Sequence, residues 1–79
     1  MKPSADQCRA LGMLAEAGSR GCTEAIMAAH FEVELLAGLL REGWAGVHVQ
    51  TIGSGHRPIE VLLMRITDTG RQALKRAAH

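Results

Sequence analysis

The spacing of the apolar residues changes from a helical period to a strand period at Gly43. Four leucines before this glycine recur at i, i+1, i+4 and i+5, the spacing of one helix face: Leu35, Leu36, Leu39 and Leu40. They predict a helix over residues 33–42 whose broad apolar stripe points at a core, with Leu35 and Leu39 as core residues.

After the glycine, residues 46–52 and 59–66 are rich in β-branched and aliphatic side chains, which predicts two strands. The connection over residues 53–58 contains two glycines and a proline, a composition that suits an exposed loop. The two strands should therefore pair as an antiparallel hairpin, and the fold class is α+β.

Capping residues predict a first helix ahead of these elements. Ser4 can accept a hydrogen bond from the first turn, and Gln7 three residues later completes a capping-box pattern. Gly18 tolerates the backbone conformation that ends helices, so this helix should cover residues 5–17. Residues 19–22 are long enough for a turn or one short edge strand.

Two further threonines can cap helices. Thr23 predicts a second helix that runs to about residue 30, which leaves only residues 30–32 as a turn before the leucine-rich helix. So short a connection is expected of a helix-turn-helix. Thr67 predicts a fourth helix that follows directly from the second strand.

The length and composition set limits on function. The 79 residues suffice for one domain, residues 1–79, with a core so modest that a partner chain should add to its stability. The four histidines and two cysteines share no metal-ligand spacing, and no nucleophile–base pattern is present. We therefore expect that the protein binds no metal and no cofactor and that it is not an enzyme. Cys8 and Cys22 are expected to be reduced packing residues.

The sequence also bears on the location of the protein and on how its charge is distributed. No apolar run approaches a membrane span and the N-terminal residues lack a signal-peptide pattern, so we expect a cytoplasmic protein that does not enter the membrane. The net charge of +1 is unevenly spread. Four basic and six acidic side chains give residues 1–43 a charge of −2, whereas five basic and two acidic ones give residues 44–79 a charge of +3.

Two stretches carry a resemblance to a known family. The leucine-spaced helix closed by Gly43 and Trp44 looks like a recognition helix that enters a wing, and residues 66–74, ITDTGRQAL, are similar to the junction "LTxxGRxxL". With the Thr23-Glu24 start of the second helix, the chain resembles winged helix-turn-helix regulators of the small bacterial MarR and PadR types. The resemblance implies a three-helix core, a two-stranded wing and a C-terminal helix.

The resemblance also implies a function as a DNA-binding transcriptional regulator. Such proteins place their third helix in the major groove and their wing tip against the backbone, with the second helix beginning near a phosphate. The positions that match are Thr23, Glu34, Gly38, Arg41, His56 and Arg57. The alternative is a winged-helix module that binds another protein, since three glutamates surround the single arginine of the third helix.

The second predicted strand has apolar residues at four consecutive positions, 61–64, and so on both of its faces. One face needs cover from outside the core. Either the fourth helix supplies it, or a second subunit does so in a homodimer, which we expect at micromolar concentration.

Overall fold

The computed structural model describes residues 2–53, 55 and 57–77. Over these residues it contains four α-helices, a short 3-10 turn and one three-stranded antiparallel sheet. In chain order the elements are α1 (Ala5–Ala17), the 3-10 turn (Gly18–Arg20), β1 (Cys22–Thr23), α2 (Glu24–His30), α3 (Val33–Arg41), β2 (Ala45–Ile52), β3 (Ile59–Ile66) and α4 (Asp68–Ala77). The α+β class expected from the sequence is confirmed.

The sheet has the strand order β1-β3-β2. β2 and β3 form the predicted hairpin and pair along their whole length, from Ala45 opposite Ile66 to Ile52 opposite Ile59. β1 supplies only two pairs on the other side of β3. The hairpin therefore extends well beyond the rest of the sheet.

The predicted caps are present. The Ser4 hydroxyl accepts a hydrogen bond from the Gln7 amide at 3.1 Å, and the Ser4 amide donates to the Gln7 side chain at 2.8 Å. Thr23 Oγ1 accepts from the Ile26 amide at 3.2 Å. The third helix ends at Arg41, one residue earlier than predicted, with Glu42 as its C-cap.

The core lies between the helices and the base of the sheet. Its largest fully buried side chains come from α1, α2, α3 and β3: Leu11, Leu14, Met27, Leu39 and Met64. Leu39 is a core residue as predicted, whereas Leu35 is half-buried and packs against the edge of the core. The expectation that the whole leucine stripe points inward is wrong at Leu40, because the stripe is wider than the core face and leaves this residue 40% exposed.

The two faces of β3 are covered differently. Met64 points into the core, and Leu63 on the other face is buried beside Ser19 and Arg20 of the 3-10 turn. α4 packs mainly against α1, so the cover for Leu63 comes from the 3-10 turn. Leu62 remains exposed.

One junction joins α3, the hairpin and α4. Thr67 Oγ1 donates to the carbonyl of Gly43 at 2.6 Å and accepts from the Gly70 amide at 3.0 Å. The Thr67 amide donates to the carbonyl of Trp44 at 3.0 Å. Gly70 lies so close to the hairpin that a Cβ there would overlap the Trp44 carbonyl oxygen and lie 2.9 Å from Ile66 Cγ1.

No helix within the described residues is long and apolar enough to cross a membrane.

Alanine substitutions at two helical glycines should have opposite effects on stability. A Cβ at Gly12 in α1 meets nothing within 4 Å, so Gly12→Ala should stabilise the protein by about 0.5–1 kcal/mol through the entropy of the unfolded chain. Gly70→Ala should destabilise it by at least about 3 kcal/mol because the junction must open to admit the methyl group. Denaturant midpoints that shift in the same direction for both variants would contradict this packing.

Candidate interaction surface

The outward face of α3 carries Glu34 and Arg41, which lie seven residues apart and are both exposed. Glu34 is in the first turn and Arg41 in the last, so each charge also stabilises the helix dipole. The ion pair found among the described residues joins Arg9 and Asp6, and Arg41 takes no part in it. The Arg41 guanidinium is therefore available to a ligand.

Gly38 lies between these two residues in sequence but is buried. A Cβ at this position would lie 3.4 Å from Nε2 of Gln7 in α1 and 3.8 Å from Nη2 of Arg41. The structure thus places Gly38 where α3 approaches α1, and not on open surface.

Two other predicted site residues, Thr23 and Arg57, lie outside α3. The half-buried Thr23 uses its hydroxyl to cap α2. Arg57 is exposed at the far end of the hairpin, about 26 Å along the strands from the end of α3. His56 lies outside the described residues. The structure therefore places Glu34 and Arg41 on one face of α3, in its first and last turns, and leaves Arg57 apart from them.

A groove that the sequence analysis missed lies between α3 and the hairpin. We call it the α3-hairpin groove; its volume is about 220 Å³ and it is lined by Glu24, Ala28, Val33, Leu36, Ala37, Leu40, Val47, Leu62 and Met64. Val33 is 73% exposed, and Leu40, Val47 and Leu62 are 40%, 42% and 41% exposed. Solvent-exposed apolar side chains from three elements, α3, β2 and β3, thus converge on one concavity.

The sequence does contain a signal for this groove. Val33, Ala37 and Leu40 are spaced i, i+4 and i+7, which places them on one line along the helix. This line lies beside the core-facing leucines, and in the sequence the two merge into one broad stripe. Only the packing of α3 against α1, α2 and the hairpin shows which leucines belong to the core.

Among the described residues that line the groove, one side chain is charged, and it is acidic. Glu24 lies in the first turn of α2 and is exposed. Glu34 and Arg41 are exposed on the outward face of α3, and Glu42 lines a different concavity with Lys2 and Arg76. A ligand of the α3-hairpin groove therefore meets apolar walls with one carboxylate among them.

The two faces of the hairpin differ in chemistry. Residues opposite each other in the register share a face, so Val49 and Leu62 extend the apolar surface of the groove. The other face carries His48, Gln50 and Arg65, which line a second concavity. Arg65 Nε is buried there without a hydrogen-bond partner among the described atoms.

In the described part of the chain no three His, Cys, Asp or Glu side chains are placed to hold a metal ion. Cys8 and Cys22 are free and half-buried.

The chain matches no protein-family model, no curated protein and no solved structure.

Proposed function

We propose that the chain is a winged-helix domain. In this interpretation α1, α2 and α3 form the three-helix core, β2 and β3 form the wing, and α4 closes the domain. The chain order of these elements supports the proposal, and so does the junction at Thr67, where the wing passes directly into the last helix.

We propose further that this domain binds a partner protein through the α3-hairpin groove. The observation that carries the proposal is the exposure of Val33, Leu40 and Leu62 around one concavity. Contiguous exposed apolar surface with a polar border is typical of protein-binding sites. Burying such surface against a partner removes it from water, which favours association.

The chemistry of the groove lining indicates the kind of partner. An amphipathic helix can place its apolar side chains in a groove through residues spaced i, i+3 or i+4, and i+7. Basic residues on such a helix would face Glu24, the carboxylate in the groove lining, which favours their approach and opposes that of acidic segments. The proposed ligand is therefore an amphipathic helix with apolar and basic side chains.

The electrostatics of α3 favour protein over DNA at this surface. A third helix in the major groove would bring Glu32, Glu34 and Glu42 towards phosphates, with Arg41 as the one basic side chain of the helix. Contact with a phosphate backbone would also leave the apolar side chains beside α3 without an apolar partner.

Two synthetic helical peptides with the same leucine pattern test this function, one with lysine and one with glutamate at the polar positions. We expect the lysine peptide to bind the domain at least about tenfold more tightly in fluorescence anisotropy, and the difference to shrink with salt. Leu40→Ser should weaken its binding about tenfold through lost apolar contact.

The matched control is Ile26→Ser, since Ile26 is 47% exposed and does not line the groove. The Ile26→Ser variant should bind the lysine peptide with the same affinity as the unmodified protein. Equal effects of the two serine variants, or equal binding of the two peptides, would reject the groove as the binding site.

Duplex DNA binding, with a role in transcriptional regulation, is the second candidate function. The exposure of Arg41 on the outward face of α3 favours it, because an arginine there can reach a guanine edge. Arg57 at the end of the hairpin would contact the backbone.

A titration of duplex DNA at several salt concentrations tests this candidate. With so few basic contacts, the slope of log affinity against log salt should be only about −2 to −3 for a monomer. Arg41→Ala should weaken binding by about 1–3 kcal/mol and relax sequence preference, and Glu34→Gln should strengthen it. Absence of binding at low salt would eliminate DNA as a ligand.

A further inference from the structure

β2 is an edge strand that carries none of the usual protection against pairing. Among the described residues no strand pairs with it on its outer side, and residues 47–52 are exposed. The strand contains no Lys, Arg, Asp, Glu or Pro, and its register with β3 runs without a bulge. Natural edge strands usually contain a charged residue, a proline or a bulge, because a long uncharged edge pairs with other chains.

The open edge of β3 provides a contrast within the same hairpin. β1 covers β3 only at Leu63 and Met64, so the edge before them is also open. That part of β3 contains Glu60 and follows directly on Pro58. A charge and a proline discourage pairing there, and β2 has neither.

The hydrogen-bond pattern identifies the free backbone groups of β2. The Thr67 amide donates to the Trp44 carbonyl. The pair formed by Trp44 and Thr67, next to the pair of Ala45 and Ile66, is therefore hydrogen-bonded. Bonded and non-bonded pairs alternate along an antiparallel ladder. When pairs are counted along β2 from Trp44, the non-bonded positions include Val47, Val49 and Thr51. These three residues therefore direct their N–H and C=O groups away from β3.

We infer that β2 pairs antiparallel with β2 of a second copy of this chain around a two-fold axis at Val49. This register places Val47 opposite Thr51 of the second copy and Val49 opposite its own counterpart. Val47, Val49 and Thr51 then exchange hydrogen bonds with the second copy, about six in total. The two sheets join into one sheet of six strands.

A second copy fits this edge better than an unrelated strand because the pairing is self-complementary. An antiparallel two-fold contact places the residue on the axis opposite its own counterpart, so a charge at that position would repel its copy. β2 has no formal charge, and its Val47 and Val49 would continue the apolar face across the axis.

The size of the contact sets its strength. Pairing over about seven residues of each copy buries less than the roughly 800 Å² per partner of a standard interface. We therefore expect a dissociation constant in the micromolar range.

This pairing assigns the expected homodimer to one surface, the outer edge of β2. It does not depend on what fills the α3-hairpin groove. Residues opposite each other in a sheet share a face, so both grooves would open on the same side of the six-stranded sheet. A dimer could then hold two ligand helices, whereas loss of the dimer would leave each single groove intact. Failure of the dimer and failure of peptide binding are thus separate results.

Sedimentation of the full chain with two lysine variants tests the pairing. Val49 and Ile59 are 61% and 63% exposed in the same hairpin, but Ile59 lies on β3. The unmodified protein and Ile59→Lys should form a species of twice 8.5 kDa at micromolar concentration. Val49→Lys should raise the dissociation constant at least about tenfold, because two lysines meet at the axis.

A second measurement does not rely on any variant. In a mixture of differently isotope-labelled chains, the proposed register brings the Hα atoms of His48 and Gln50 of the two copies into close contact. We expect an intermolecular nuclear Overhauser effect between them. A chain that stays monomeric through the micromolar range, equal effects of the two lysines, or intermolecular contacts that exclude β2 would each overturn the inference.

Discussion

The hydrogen bonds of Thr67 hold together the parts of this fold that lie far apart in sequence. Its hydroxyl joins the end of α3, at Gly43, to the first turn of α4, at Gly70, and its amide continues the ladder to Trp44. The same junction requires glycine at position 70, because α4 passes directly over the Trp44 carbonyl. The hairpin therefore leaves the helices in a direction fixed by short polar contacts at its base.

The two surfaces proposed to make protein contacts follow from that direction. A hairpin held beside α3 faces Leu40 with Val47 and Leu62, which creates the apolar concavity. It also extends beyond the core, so the outer residues of β2 are exposed and its edge is open. The 49 Å long axis of a chain only 18 Å thick reflects this extension. So much exposed apolar surface on so small a domain is the physical basis for proposing two protein contacts, one in the groove and one at the edge.

Local signals predicted most of the fold. The capping box at Ser4 and the cap at Thr23 gave the first two helices, and the period change after Gly43 gave the hairpin. Which of the four leucines reach the core was harder to predict, since the stripe is wider than the core face and only its packing separates the buried Leu39 from Leu40, which is 40% exposed. Gly38 shows the same limit, because its burial depends on Gln7 of α1, about thirty residues earlier in the chain.

The free energy of unfolding of Thr67→Val tests most directly the claim that this junction organises the structure. Valine keeps the shape of the side chain and removes both hydroxyl hydrogen bonds, so we expect a loss of about 2–3 kcal/mol. Thr23→Val is the matched comparison, because its hydroxyl caps one helix and joins no second element, and it should lose only about 1 kcal/mol. Equal losses in the two variants would show that Thr67 is an ordinary helix cap and would contradict this account.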